Sequence, residues 1–353
     1  MKFVYGIHGY GRGHATRSLS ILQQLEGHDI LVMAGGDAYD LLEPLGYDMF
    51  RIPTLAYVYG KRKDRFSMWL SFKHMAPMLW DIFTRGKDYG RIKKRISDFK
   101  PDAVINDSEP WTGRSANNLG IPLISVDHYA VLSYGDWDMP GKLKKQLGTT
   151  TRIYRFYLGK PDRIIGSAFY PAKPTDSRAT LVGPIIRKEV READITEGDH
   201  LLVYFNNQHF FTPEIEKRLT ELDVEVHAFV QKIPEDHHNI RFFRSDNCTF
   251  VREISSCRSI ITSAGNQLAG EALFLRKPML IVPEASTEQQ MNSWAVQNMG
   301  VGLETDLDQL ASDGFVKEFL ERENEFRSRI TPFSRDYSPD VAREILRFAR
   351  RGK

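Results

Sequence analysis

Residues 262–304 read TSAGNQLAGEALFLRKPMLIVPEASTEQQMNSWAVQNMGVGLE, and the punctuation of this stretch decides the fold. An apolar run, SIITSAG (259–265), passes through a turn of small residues, Ser263, Ala264 and Gly265, into a helical pattern expected from Gln267. A second apolar run, PMLIVP (278–283), ends on a proline and is followed by another helical pattern from Gln289. Strand, turn, helix, strand, loop and helix without a gap is the βαβ unit of a parallel sheet.

The residue types at those turns suggest a ligand. A tight small-residue turn leaves amides unpaired at the start of a helix, where the helix dipole favours an anion such as a diphosphate; Asn266 stands at that start. Glu271 lies on the first turns of the helix, where a carboxylate can accept both hydroxyls of a ribose. Glu288, Gln289 and Asn292 follow the next strand, in a position to read sugar hydroxyls. Taken singly, each is an ordinary exposed or capping residue; together they make a site.

Here the sequence resembles the GT-B glycosyltransferases, in the branch of MurG-like UDP-sugar enzymes. Ser263-Ala264-Gly265, Glu271, Pro283 and Glu288-Gln289-Gln290-Met291-Asn292 match that family's small-residue turn, ribose-binding Glu, proline-ended strand and [D/E]-Q-x-x-N segment. The resemblance implies an α/β fold of two Rossmann-like, doubly wound domains facing each other across a cleft, with a C-terminal helix returning to the first domain. It also implies transfer of a sugar from a nucleotide diphosphate sugar, a UDP-sugar in the first place, to an acceptor hydroxyl, with inversion and without a metal. No cofactor is expected beyond the nucleotide sugar as co-substrate. A UDP-sugar 2-epimerase of the same architecture and a non-catalytic nucleotide-sugar-binding protein are the alternatives.

The rest of the chain fits two such domains. From Lys2, short apolar runs alternate with amphipathic segments through PDAVIND (101–107) and IPLISVD (121–127), and after a proline-rich passage a second series begins at HLLVYF (200–205). The expected division is 1–165 for the acceptor-side domain and 166–335 for the donor domain, with 336–353 packing back. In the family a second glycine loop follows the first strand of the donor domain; here it reads YFNNQHF, with Asn206 and Asn207 in place of glycines.

The amino-terminal stretch YGIHGYGRGHATR (5–17) is a strand, a loop with Gly9, Gly11 and Gly13, and a helix expected near Ala15. His14 occupies the third glycine position of a dinucleotide fingerprint, and no Gly-Lys-Ser/Thr closes a P-loop. His14, at the mouth of that helix, is the first candidate for the general base, since imidazole takes protons near neutral pH. Asp107 and Glu109 come next, and Asp127 and His128 sit in a second strand-end loop. Arg17 is an anion contact or a solvated helix charge.

Composition adds boundaries. With 353 residues, 41% hydrophobic, 27% charged and a net charge of +2, the chain reads as globular, and its overall balance points to no polyanion. Two cysteines, Cys248 and Cys257, are expected as buried thiols, and no spacing suggests zinc. No stretch approaches a membrane span of about 20 apolar residues, so a cytoplasmic protein is expected. Residues 60–100 are locally basic, with twelve Lys and Arg against four Asp, and carry Met68, Trp69, Phe72, Met75, Leu79, Trp80 and Phe83 at helical spacing. Two readings stand: a face resting on anionic lipid at the inner side of a membrane, with a lipid-linked cell-envelope glycan as acceptor, or a stripe packed on the core. No nucleic-acid-binding motif accompanies the patch.

Overall fold

The apolar run Lys2–Ile7 becomes an interior strand of a seven-stranded parallel sheet. In the computed structural model, which describes residues 1–56, 58, 67–233, 239–244, 246–312, 314–330 and 333–351, the chain divides into two units. Residues 1–187 with 337–353 form one, and residues 188–336 form the other.

The strands of the first unit are β1 (Lys2–Ile7), β2 (Asp29–Ala34), β3 (Asp48–Arg51), β4 (Ala103–Asp107), β5 (Leu123–Asp127), β6 (Gly135–Asp136), β7 (Arg163–Ser167), β8 (Lys173–Pro174) and β9 (Ala179–Val182). The sheet order is β3-β2-β1-β4-β5-β7-β9, and β6 and β8 form a separate antiparallel ribbon. Continuous apolar strands such as Phe3-Val4-Tyr5 are buried on both faces, as a helix-covered parallel sheet requires. The strand order reverses between β1 and β4, so their carboxyl ends flank the switch point where such sheets bind ligands.

The last helix, Ser338–Arg351, belongs to this unit. Pro339 and Asp340 suit its first turn, and Arg350 and Arg351 its last. Val341, Ala342, Ile345 and Ala349 enter the core beside Phe3, Ile21 and Val32. Burying a Val or Ile this fully contributes about 1.5–3 kcal/mol, which anchors the chain terminus to the first unit.

The second unit has β10 (Leu201–Tyr204), β11 (Val226–Phe229), β12 (Ile240–Phe243), β13 (Ser259–Thr262), β14 (Met279–Ile281) and β15 (Gly302–Glu304), ordered β12-β11-β10-β13-β14-β15 and all parallel. Its switch point lies between β10 and β13.

Several expectations change. A boundary at 165/166 would cut β7, which pairs with β5 and β9; the chain instead passes to the second unit after Arg187. Cys248 is exposed, while Cys257 is buried. Lys61, Arg62, Lys63 and Arg65 lie outside the described residues. Beyond them, the helix Met68–Thr84 divides its apolar residues. Met75, Met78, Leu79 and Ile82 pack on the core, whereas Trp69, Phe72, Trp80 and Phe83 are exposed. Among the described residues, no helix is long and apolar enough to cross a membrane.

Candidate functional site

Gly9 leaves β1 against the Gly35 carbonyl, so close that a Cβ there would meet backbone. Gly11, with φ 81° and ψ 151°, then precedes a helix that begins at Arg12, three residues earlier than the sequence suggests. An L side chain strains at that φ, and glycine does not. The Asp37 carboxylate accepts the Gly11 amide at 2.9 Å. The early start puts Gly13 and His14 inside the first helical turn, over the carboxyl end of β4.

That end carries Asp107, which is buried, and five hydrogen bonds converge on its two oxygens. Arg17 Nη2 donates at 2.6 and 2.8 Å, Arg17 Nε at 3.2 Å, Ser18 Oγ at 3.1 Å and His14 Nδ1 at 2.9 Å. Burial opposes the Asp107 charge, but Arg17 and His14 outweigh it and hold the carboxyl well below the usual carboxylate range. Arg17 Nη2 also lies 3.1 Å from His14 Nδ1, but its protons go to the two nearer Asp107 oxygens; a carboxylate oxygen and an unprotonated ring nitrogen would repel at 2.9 Å, so the proton is assigned to His14 Nδ1. Nε2 then keeps its lone pair, on a side chain 21% exposed.

His8, the first residue after β1, stacks edge-on against His14 at 4.9 Å and donates its backbone N–H to the Asp107 carbonyl. Burial, with the His14 ring beside it, pushes the His8 imidazole down to about 3. The residue after Asp107, Ser108, has φ 59°, a strained conformation for a side-chain-bearing residue.

The other candidates of this unit have structural partners. Arg17 is spent on Asp107 and is not available as an anion contact. Glu109 caps the helix Pro110–Leu119, accepting the amides of Trp111 and Thr112 and the Thr112 hydroxyl at 2.5–2.8 Å. Burial pushes its carboxyl up to about 7, but both oxygens serve its own helix, which removes it as a base. Asp127 accepts Ser125 Oγ and the Ala130 amide, both at 2.6 Å. His128 is buried, with Nδ1 3.1 Å from the Ser167 carbonyl. Both residues hold the loop after β5.

In the second unit, the turn Ser263–Gly265 leads into the helix Asn266–Phe274, whose N-cap Gly265 supplies no side-chain oxygen to its amides. Ser263 Oγ accepts the Asn206 amide at 3.2 Å, and Asn206 Nδ2 lies beside Gly265, so the Asn-for-Gly loop after β10 borders this turn. Asn207 Oδ1 instead accepts the His209 amide at 3.1 Å. Asn292 is buried, and its Nδ2 donates to the Ala264 carbonyl at 2.7 Å; its part is to hold the turn. Two buried oxygens here, Asn266 Oδ1 and Asn292 Oδ1, have no hydrogen-bond partner among the described residues.

Glu271 is buried and accepts Gln267 Nε2 at 2.9 Å. Gln289 stands three residues after its N-cap Ser286, in capping-box spacing, but its Oε1 accepts the Glu284 amide at 2.8 Å. Its carbonyl thus braces the loop after β14. Glu288 occupies the first turn of the same helix, Thr287–Met299.

A family model described as glycosyl transferase family 1 matches residues 1–323. The chain belongs to this family. A curated relative from Methanosarcina mazei, named an uncharacterized glycosyltransferase, is 27% identical over 86% of this chain and 85% of its own. Among solved structures, the calicheamicin glycosyltransferase CalG4 superposes with a TM-score of 0.67 at 17% identity, covering 98% of both chains. MurG from Acinetobacter baumannii gives 0.63 at 15%, covering 98% and 99%. VinC, a glycosyltransferase solved in complex with dTDP, gives 0.63 at 15%, covering 99% and 100%. The protein is a glycosyltransferase of the GT-B type.

Sequence reasoning missed His8, Ser18 and Glu284 of this glycosyltransferase. Glu284, directly after Pro283, is buried, and burial raises its carboxyl. The legible signal for His8 and Glu284 was position, since each follows a strand at its carboxyl end. Ser18 gave none; only the helical phase that turns it to Asp107 marks it.

Proposed function

We propose that the protein is an inverting glycosyltransferase that works without a metal and moves a sugar from a nucleotide diphosphate sugar to an acceptor hydroxyl, with His14 as general base. The His14–Asp107 pair carries this reading. With Nδ1–H held by Asp107, Nε2 takes the acceptor proton, and the buried carboxylate stabilises the imidazolium that forms. The acceptor oxygen attacks the anomeric carbon as the bond to the diphosphate breaks, and the leaving electron pair passes to the diphosphate. Attack opposite the leaving group inverts the anomeric carbon.

The donor is assigned to the second unit. The start of the helix at Asn266, where N-cap Gly265 offers no side-chain cap, suits the diphosphate, Glu271 suits the ribose, and the Asn266 and Asn292 oxygens, without a hydrogen-bond partner among the described residues, suit hydroxyl donors. UDP and dTDP are the nucleotides to test first, dTDP because VinC was solved with it. In His14→Ala, turnover should fall about 10²–10⁴-fold while donor affinity holds, and NMR of the wild-type product should show the inverted anomer. Full turnover in the variant removes His14 as base.

For the acceptor, a lipid-linked glycan at an anionic membrane surface is supported by exposed aromatics. Trp69 and Trp80, 68% and 72% exposed, share their helix with Phe72 and Phe83. Phe83 stacks on Phe156 at 5.3 Å, with the Arg114 guanidinium 4.5 Å over Phe83. Co-sedimentation with phosphatidylserine vesicles should be lost in Trp80→Ser/Phe156→Ser; a wild-type protein that stays in the supernatant points to a soluble acceptor.

A further inference from the structure

The second unit holds a cluster that the transfer reaction does not use. His200 immediately precedes β10, His227 is the second residue of β11, and Glu253 lies on the helix Asn247–Ser256. All three are buried. His227 Nδ1 is 2.5 Å from Glu253 Oε2, and His200 Nε2 is 3.5 Å from the same oxygen. The two imidazoles stack with centroids 3.9 Å apart at 21°, so both present a nitrogen to one carboxylate oxygen. One potential ligand atom from each residue lies within 4.8 Å of the others.

We infer that His200, His227 and Glu253 form a site for a borderline divalent transition-metal ion of the zinc class. Two imidazole nitrogens and one carboxylate oxygen are a donor set such an ion takes, with water completing four-coordination. The surroundings fit as well. His227 ligates through Nδ1 only if Nε2 keeps its proton, and Nε2 lies 3.0 Å from Glu225 Oε1, the carboxylate that fixes this tautomer. Arg252 Nε holds the other Glu253 oxygen, Oε1, at 2.9 Å, and Arg241 Nε bonds Glu225 Oε1 at 2.6 Å, so both cations sit on outer oxygens. The metal replaces the proton between His227 Nδ1 and Glu253 Oε2, which leaves to solvent. It also displaces the contact of His200 Nε2 with the Glu253 carbonyl, now 3.3 Å.

The site ties the starts of two strands to a helix. Leu201 pairs with Ser259 at the amino end of β13, whereas the donor turn follows the carboxyl end, roughly 13 Å away along a four-residue strand. The ion is therefore a staple of this unit, apart from sugar transfer.

The test uses the full chain, stripped with a chelator and dialysed, then titrated with Zn²⁺ and Co²⁺. The expected results are one Zn²⁺ per chain by elemental analysis, a tetrahedral Co²⁺ absorption spectrum, and a melting temperature that rises with Zn²⁺. Glu225→Gln changes a side chain 42% exposed, so it should fold normally and weaken Zn²⁺ binding about 10–100-fold; His200→Gln should weaken it further. Wild-type occupancy near zero, or Zn²⁺ affinity unchanged in both Glu225→Gln and His200→Gln, overturns the site.

Discussion

Asp107→Asn tests the centre of the first unit. The carboxylate accepts from Arg17, Ser18 and His14 at once, and Arg17 is only 3% exposed. An amide has one acceptor oxygen, so its NH₂ takes the place either of Oδ2, against Arg17 and Ser18, or of Oδ1, against His14 and Arg17 Nη2. Facing His14, it donates to Nδ1, moves the imidazole proton to Nε2 and removes the base; turnover then falls about 10²–10⁴-fold. In either orientation the Arg17 charge loses its buried counter-ion, which costs about 3–5 kcal/mol. For a unit of about 200 residues that lowers the melting temperature by roughly 6–20 °C. The pH dependence separates this from a packing defect. Asp107 titrates lower when folded than its unfolded value of about 4. Its stabilisation is therefore present above that value and is lost as pH falls toward the folded one. Thermal melts from pH 7 to pH 3 should show a steeper fall in wild type than in Asp107→Asn. A variant melting within a degree or two of wild type, with wild-type turnover, refutes the account.

Glu271→Ala should weaken nucleotide binding in a thermal-shift panel of UDP, dTDP and UDP-sugars by tenfold or more while circular dichroism stays that of wild type; unchanged affinity sinks the ribose assignment. For Glu109 the sign is opposite to that of Asp107. Its folded value near 7 lies above the unfolded one of about 4.3, so its contribution is present below about 4.3 and is lost as pH rises through 7. Glu109→Gln, which keeps an acceptor for the helix cap, should flatten that part of the stability curve; a curve that stays parallel to wild type would mean the carboxylate is ionised throughout.

The sequence by itself determined what depends on neighbours along the chain. Apolar runs ending in Gly, Pro or Asn fixed alternating strands and helices, and the 262–304 stretch placed a tight turn before a helix carrying Glu271, because turn chemistry and helical period are local. The C-terminal helix was legible from Val341, Ile345 and Ala349 falling on one face between a Pro-Asp start and a basic end. Tertiary structure decided which polar groups are spent on the protein itself. Glu109 and Gln289 look like site residues in sequence, yet one caps its own helix and the other braces a loop through the Glu284 amide. Arg17 and Asp107, ninety positions apart, become partners because parallel pairing brings the end of β4 beside that of β1, where the Arg12–Gln24 helix starts. The same long-range register stacked His200 on His227 and brought both to Glu253. A sequence pattern records the period of each element; it does not record which carboxylate finds a cation once two strand ends are adjacent.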